Sequence, residues 1–308
     1  MKKLIQNLNP SYLDIGPGLP KIQSIDLMNE LIFILTTRCN QHCDFCCEPP
    51  SDPDMKLDDA INWLKASKAA GIPWIDFSGG EPLLHKNIEI ILKTSKELGL
   101  LNTLSTNGLL VLKHVDRIFS FIDQWNLSLH GSEKVHNRIV NRSHSYERIL
   151  ETCKVLAERG AIVHITYVVT NYNIEDVGNQ LRILYEHGVS KICFNYIFRR
   201  GFGEEHIISS GFRQEEAIAY VKEKVREFPN VKLTIYHNTN LDGQCSLVRS
   251  SGEVWAVPMT NQYDYEKVFH INDIMNYSHA FPYIINHRKF TYPRLGPVFY
   301  SDKEFDMN

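Results

Sequence analysis

A cluster of cysteines near residue 40 is the feature of this sequence that most directly suggests chemistry. Four of the chain's seven cysteines lie in one short segment, Cys39-Asn-Gln-His-Cys43-Asp-Phe-Cys46-Cys47. Such clustering predicts a metal site, because a structural cysteine has no need of neighbouring thiols. Three thiolates at this spacing would hold three irons of a 4Fe–4S cluster and leave the fourth iron open for chemistry. A Cys3His zinc site that uses His42 and a redox-inert loop are the alternatives.

A second motif, Phe77-Ser-Gly79-Gly80-Glu81-Pro82, follows about one βα unit later. The two glycines carry no Cβ and let the backbone approach a ligand closely. A plain βα turn would account for the glycines but not for the full Gly-Gly-Glu-Pro sequence.

Together the two motifs resemble those of the radical S-adenosylmethionine (SAM) superfamily, with Phe45 as the aromatic residue that precedes the third cysteine. This resemblance favours an iron–sulfur site over zinc. The resemblance implies that Cys39, Cys43 and Cys46 bind the cluster, and that the fourth iron chelates SAM. Reductive cleavage of SAM would then release a 5′-deoxyadenosyl radical, which abstracts hydrogen from a substrate. The resemblance also implies that Phe45 lies beside the adenine. It places the segment Gly79, Gly80, Glu81 and Pro82 near the SAM ammonium.

Polar residues at the ends of later predicted strands are further candidates for SAM binding. Thr106, Asn107, Ser128 and Thr170 suit the ribose hydroxyls and the carboxylate of SAM, although each could instead be a helix N-cap. The segment from Ser128 to residue 139 resembles the fourth-strand region of peptide-maturing members of the superfamily. In those relatives a basic residue just downstream meets the SAM carboxylate, so Arg138 and Arg142 are the two candidates for that contact.

Four residues are candidates for contact with the substrate. His130 and Asn195 are predicted to point into the barrel mouth, where His130 could act as a general acid or base. Arg199 and Arg200 end the sixth predicted strand and could grip a carboxylate or a phosphate with a guanidinium fork. The alternatives are a structural histidine and a solvated basic pair.

The C-terminal region faintly resembles the start of the cysteine-rich (SPASM-like) extension of peptide-maturing enzymes, over residues 243–258. That extension binds auxiliary Fe–S clusters, but here Met259 follows the proline and no cysteine occurs after Cys245. We therefore predict a cap that lacks an auxiliary cluster. Cys245 is then either a buried remnant or a thiol that returns a hydrogen atom to a substrate radical. Cys47 is predicted to be a small buried residue rather than a ligand.

Short apolar runs that alternate with helical patterns position these residues. Strands are predicted at 31–35, 74–77, 102–105, 125–129, 162–169 and 191–198, and helices near 58–70, 88–98, 149–157 and 174–187. The pattern predicts an α/β fold, a partial (β/α)6 TIM-like barrel, in which every motif lies at the C-terminal end of a strand. We expect an N-terminal extension at 1–30, the radical SAM barrel at 31–212 and a small C-terminal α+β cap at 213–308. A helix at 213–228 and a strand at 231–236 begin that cap.

Composition excludes several classes of function for this chain of 308 residues. The net charge of −3 predicts no general nucleic-acid-binding surface, and no apolar run is long enough to span a membrane. The first residues do not form a signal peptide, so clustered cysteines indicate a reducing cytoplasm.

The resemblance thus implies a radical SAM enzyme, an oxidoreductase that uses one 4Fe–4S cluster and SAM and receives its electron from a donor such as flavodoxin or ferredoxin. The segment that begins at Ser128 favours a peptide or peptidyl substrate. A small molecule such as a sugar, nucleoside or amino acid is the alternative. It is favoured by the missing auxiliary clusters and by the absence of a separate leader-peptide domain before residue 30. A non-enzymatic metal-binding module is a more remote alternative.

Overall fold

One sheet of ten strands organises the protein. The computed structural model describes residues 30–189, 191–197, 201–227, 234–237, 244–258 and 266–274. Within these ranges the strands follow the spatial order β10-β9-β8-β1-β2-β3-β4-β5-β6-β7. The strands are β1 Glu30–Thr36, β2 Trp74–Gly79, β3 Leu101–Thr106, β4 Gln124–Ser128, β5 Val163–Val169, β6 Lys191–Tyr196, β7 Thr234–His237, β8 Gln244–Val248, β9 Glu253–Pro258 and β10 Glu266–His270.

Helices follow most strands, as the alternating sequence pattern predicted. They are α1 Leu57–Ala69, α2 Ile88–Glu97, α3 Val111–Ile118, α4 Glu133–Ile139, α5 Ser145–Glu158, α6 Val177–Glu186, α7 Phe202–Ser210 and α8 Gln214–Arg226. From β8 through β1 to β7, each strand pairs in parallel with its neighbour. Strand β9 pairs antiparallel with β8 on one side and with β10 on the other. The α/β fold with a partial barrel is confirmed, and the carboxyl ends of β1 to β6 lie at one edge.

The two faces of the sheet differ in polarity because successive strand residues point to opposite faces. Buried apolar residues on one face, such as Phe33, Phe77 and Leu104, belong to the same core cluster as the helix residues. The other face is more polar: Ser105 donates a hydrogen bond to Asp76 and accepts one from Asn126. These three polar side chains form a hydrogen-bonded row across β2, β3 and β4.

Three short helices, α3, α4 and α7, have no counterpart among the predicted elements. The predicted helix at 174–187 starts as a 3-10 turn, Ile174–Asp176, and continues as α6. At the C-terminus, β7 pairs with β6, and β8 pairs in parallel with β1 on the other side of the sheet. The described part of the predicted cap therefore extends the barrel sheet at both edges. The division into domains stays a prediction, and its segment 1–29 lies outside the described residues.

Candidate active site at the mouth of the barrel

The cysteine loop leaves the carboxyl end of β1 and is fixed by backbone hydrogen bonds to two helices. The N–H groups of His42 and Asp44 donate to the carbonyls of Val140 and Ile139, at 3.2 and 3.0 Å, at the end of α4. The N–H of Phe202, the first residue of α7, donates to the carbonyl of Cys46 at 2.9 Å. The loop is thus held between two helices that the sequence did not predict.

The Gly-Gly-Glu-Pro motif packs directly against the beginning of the cysteine loop. Gly80 N–H donates to the Thr36 carbonyl and Glu81 N–H to the Arg38 carbonyl, each at 2.8 Å. A Cβ at Gly79 would lie 2.1 Å from the Thr36 carbonyl oxygen, and one at Gly80 would lie 2.4 Å from that of Arg38. The glycines therefore permit a close approach of two segments of this chain. Their predicted proximity to the SAM ammonium stays a prediction.

Glu81 joins the carboxyl ends of β2 and β3. Its fully buried carboxylate accepts hydrogen bonds from Leu83 N–H at 3.0 Å, from the Thr106 hydroxyl at 2.8 Å and from Asn107 N–H at 2.9 Å. Burial raises the pKa of Glu81 to about 7, which these donors partly oppose. Pro82 starts a 3-10 turn, Pro82–Leu84. Glu81 and Thr106 thus have structural partners, and Glu81 holds the loop that carries Asn107.

Asn107 links the end of β3 to the cysteine loop. Its side-chain amide donates to the Asn40 side-chain oxygen at 2.6 Å and lies 3.7 Å from the Cys39 sulfur. An N–H group directed at a ligating sulfur is a common outer contact in Fe–S sites. Asn107 therefore lies beside the Cys39 thiol, and its predicted contact with SAM stays a prediction.

The three thiols of the loop are electrostatically coupled. The pKa of Cys43 is raised above its usual range by burial first, and then by Cys46 and Cys39; burial also raises the pKa of Cys39. In the described part of the chain no three His, Cys, Asp or Glu side chains form a preformed metal-binding group. The donor set nevertheless fits a 4Fe–4S cluster, because cationic irons stabilise neighbouring thiolates that otherwise repel each other. His42, the ligand in the zinc alternative, is exposed.

His130 is buried beside the cysteine loop. Its Nδ1 accepts a hydrogen bond from Val168 N–H at 3.1 Å, and its ring meets that of Phe45 edge-on, with centroids 5.0 Å apart. Burial lowers the pKa of His130 well below its usual value, so the ring is neutral near neutral pH. Only Nε2 is left for the acid or base role predicted from the sequence.

A buried hydrogen-bond network that the sequence analysis missed connects the cysteine loop to α5. The Gln41 amide donates to the Ser145 hydroxyl at 2.8 Å, and His136 Nε2 lies 3.0 Å from the same oxygen. His136 Nδ1 accepts from the backbone N–H of His130 at 3.0 Å, which leaves the proton on Nε2. Gln41 and Ser145 are 104 positions apart, so no local pattern could have revealed their contact.

The other residues predicted to contact SAM differ in whether their side chains already contact other groups of the protein. Thr170 accepts from Tyr172 N–H at 3.1 Å and shapes the turn after β5. Ser128 is half-buried, and within the described ranges its side chain makes no hydrogen bond. Arg138 is exposed and stacks over the Tyr172 ring at 4.8 Å, whereas Arg142 is exposed on the loop after α4.

The predicted substrate contacts are only partly described. Asn195 is half-buried, and its side-chain oxygen accepts from the Cys193 thiol at 3.3 Å. Arg199 and Arg200 lie outside the described residues. Cys245 lies in β8 opposite Val257, and its side chain is also outside the description.

Comparison with known proteins decides the family. The family model for the radical SAM superfamily matches residues 33–184, which include the cysteine loop and the Gly-Gly-Glu-Pro motif. The chain belongs to the radical SAM superfamily. Members of this superfamily use a 4Fe–4S cluster and SAM, and Cys39, Cys43 and Cys46 are the residues of this radical SAM chain that fit such a cluster.

The individual relatives of this radical SAM protein are distant. It is 23% identical over 218 residues to Fe-coproporphyrin III synthase of Methanosarcina barkeri, a match that covers 67% of this chain and 55% of that protein. The chain thus matches little more than half the length of that relative. Streptococcus suis SuiB bound to its precursor peptide SuiA superposes with a TM-score of 0.65 at 15% identity, covering 86% of this chain and 68% of SuiB.

A second solved structure, anSMEcpe with bound AdoMet and Cp18Cys peptide, superposes with a TM-score of 0.64 at 16% identity, over 81% of this chain and 79% of that one. At such identities the solved structures support the fold alone.

Among the described residues, no helix has both the length and the apolar character that crossing a bilayer requires.

Proposed function

We propose that this chain is a radical SAM enzyme that abstracts hydrogen from a C–H bond of a peptide or peptidyl residue. The observation that carries the proposal is the attachment of the cysteine loop to the Gly-Gly-Glu-Pro strand end through Gly80 and Glu81 N–H groups. This attachment brings the thiols and the carboxyl ends of the parallel strands to one place. In barrels of this kind that edge carries the chemistry.

When bound, a 4Fe–4S cluster supplies the electron that cleaves SAM to a 5′-deoxyadenosyl radical. The residues of this chain hold the reactants. Cys39, Cys43 and Cys46 would ligate three irons, and the Asn107 amide would donate to the Cys39 sulfur. Glu81 keeps Asn107 in place by accepting its backbone N–H.

Other residues would bind SAM itself or the substrate. Ser128 carries a hydroxyl without a partner in the described ranges and faces the polar side of the sheet, so it suits a SAM hydroxyl or carboxylate. Arg138 and Arg142 stay the two candidates for the SAM carboxylate; both are exposed, and Arg138 stacks over the Tyr172 ring. Asn195, with Arg199 and Arg200, stays the proposed contact for substrate.

A peptide substrate is supported by the likeness in fold to two enzymes whose solved structures contain peptides. The inner face of the sheet is polar around Ser105 and Asn126, which suits the amide groups of a peptide backbone. A small molecule is the second candidate. It is favoured by the sequence similarity to Fe-coproporphyrin III synthase. With either kind of substrate, a flavodoxin or ferredoxin in the cytoplasm would donate the electrons.

The experiment begins with iron and sulfide analysis of anaerobically reconstituted protein. We compare Cys46→Ala with Cys47→Ala, which removes the neighbouring thiol. The proposal predicts about four irons and four sulfides in the wild type and the Cys47 variant, and a cluster that is lost or unstable in the Cys46 variant. Equal loss in both variants would contradict the assigned ligands.

The substrate is then sought by deuterium transfer. Candidate peptides and small molecules carrying deuterium at C–H positions are incubated with the reduced enzyme and SAM, and 5′-deoxyadenosine is analysed by mass spectrometry. Deuterium from peptides only supports the peptide assignment. Deuterium from a small molecule only would replace it with the second candidate.

A further inference from the structure

Helix α7 is attached to the cysteine loop, so its side chains have a fixed position relative to the expected cluster. Besides the hydrogen bond from Phe202 N–H to the Cys46 carbonyl, Gly201 adopts a φ of +57° directly before the helix. A Cβ at Gly201 would lie 2.4 Å from the Cys46 carbonyl oxygen. The glycine therefore allows α7 to start in contact with the third cysteine.

His206, in the middle of α7, is buried among aromatic rings but has an unused polar atom. Its exposure is 7%, and its ring meets Tyr172 at 5.4 Å and Phe45 at 6.4 Å, edge-on in both cases. Burial lowers the pKa of His206, so the imidazole is neutral near neutral pH. Its Nε2 is buried and has no hydrogen-bond partner within the described ranges.

An unsatisfied buried nitrogen is unfavourable, by about 1–3 kcal/mol, and needs an explanation. A structural histidine would use such an atom, as His130 and His136 use their Nδ1 atoms. A ligand that arrives beside the cysteine loop would instead satisfy His206 only when it binds. The geometry thus indicates a ligand group that is both flat and polar.

The adenine base of SAM has these properties. SAM held by a cluster on the cysteine loop would bring its base to this side of the barrel, where the Phe45 and Tyr172 rings beside His206 offer apolar contacts. A neutral imidazole nitrogen can donate to a ring nitrogen of adenine or accept from its amino group. We propose that His206 contacts the adenine base of SAM through Nε2 and sets the preference for that base. This inference rests on the proposed function.

The test measures SAM binding by anaerobically reconstituted protein without reductant, so that no SAM is cleaved. His206→Phe keeps an aromatic ring and removes the hydrogen bond, whereas His206→Gln keeps a donor and an acceptor. His187→Phe is the matched control, because His187 closes α6 at the opposite end of the barrel, where its ring contacts the Ile183 carbonyl.

We expect the dissociation constant for SAM to rise about tenfold in His206→Phe, the equivalent of one hydrogen bond, and by less than about threefold in the Gln and control variants. Wild type should also bind S-adenosylhomocysteine more tightly than S-inosylhomocysteine, and His206→Phe should lose this preference. Without SAM, the melting temperature of His206→Phe should equal or exceed that of the wild type, since an unsatisfied polar atom has been removed.

Unchanged SAM binding or unchanged base preference in His206→Phe would overturn the inference and leave the proposed function intact. A lower melting temperature or a loss of iron in that variant would also overturn it, since His206 would then be structural support for the loop. If wild-type protein with a full complement of iron and sulfide bound no SAM, the proposed function itself would fail, and the inference with it.

Discussion

Replacement of Gly80 by alanine should displace the cysteine loop. The added Cβ would lie 2.4 Å from the Arg38 carbonyl oxygen, 2.6 Å from that of Thr37 and 2.7 Å from the Arg38 carbonyl carbon. All three are backbone atoms, which cannot rotate away as the end of a flexible side chain can. The start of the loop must therefore move.

Two effects contribute to the loss of stability that we expect in Gly80→Ala. Overpacking of a well-packed site costs about 1–3 kcal/mol. The displacement also strains the hydrogen bonds from Gly80 N–H to Thr36 and from Glu81 N–H to Arg38, each of which contributes about 1 kcal/mol. We expect Gly80→Ala to lower the free energy of unfolding by about 3–5 kcal/mol and to reduce the iron content after reconstitution.

Urea unfolding and iron analysis check this prediction, with Gly160→Ala as the control. Gly160 ends α5 with a φ of +76°, and an added Cβ there would meet nothing within 4 Å. The control should thus cost only the backbone strain, about 1–2 kcal/mol, and should keep its iron. If Gly80→Ala kept its iron and matched the stability of the control, the argument that the glycines serve this contact would be wrong.

Three further substitutions test the buried contacts around the site. Burial lowers the pKa of His136 from about 6.5 to about 4, so its contribution to stability is present above the unfolded pKa and is lost as the pH falls through the folded pKa. In urea titrations the difference in free energy of unfolding between the wild type and His136→Gln should shrink by about 3 kcal/mol as the pH falls from about 6.5 to about 4. A difference that stays constant over this pH range would contradict the buried, neutral state of His136. Ser145→Ala leaves the Gln41 amide and His136 Nε2–H without their acceptor and should cost about 2–4 kcal/mol, whereas exposed Ser143→Ala should cost almost nothing. Arg249→Met removes the guanidinium that lies 2.7 Å from the largely buried Glu48 carboxylate. We expect the free energy of unfolding in urea to fall by about 3–5 kcal/mol, and most of it to return when Glu48→Gln is added. If the second substitution restored no stability, the pairing would be refuted.

The parts of the fold that the sequence predicted correctly are those with a local signal. The strand predicted at 74–77 is β2 Trp74–Gly79, which a short apolar run marks. The helix predicted at 88–98 is α2 Ile88–Glu97, which apolar residues at helical spacing mark. The cysteine loop and the Gly-Gly-Glu-Pro strand end were equally visible, since each motif is contained in fewer than ten residues.

The elements that the sequence analysis missed are short or depend on distant contacts. Helix α4, Glu133–Ile139, has seven residues, of which only His136 and Ile139 are buried, so it has almost no apolar periodicity. The pairing of β8 with β1 joins Leu247 to Ile32, and no local pattern encodes a contact over that separation.

The glycines show a different limit of sequence reasoning. The absence of a Cβ at Gly79 predicted close approach of a ligand, whereas the group that lies against its backbone in the structure is the Thr36 carbonyl. The sequence alone could not show that Thr36 of the same chain is what approaches. His206 gave no signal either, because one histidine among thirteen has no distinguishing pattern until its Nε2 is seen to lack a partner.

The central claim is that Cys39, Cys43 and Cys46 hold a cluster that cleaves SAM. The most direct measurement adds dithionite and SAM to anaerobically reconstituted protein and quantifies 5′-deoxyadenosine for wild type, Cys43→Ala and Cys47→Ala. The proposal predicts the nucleoside from wild type and from Cys47→Ala, and none from Cys43→Ala. Stoichiometric zinc without sulfide in the wild type, or equal nucleoside formation by Cys43→Ala, would contradict it.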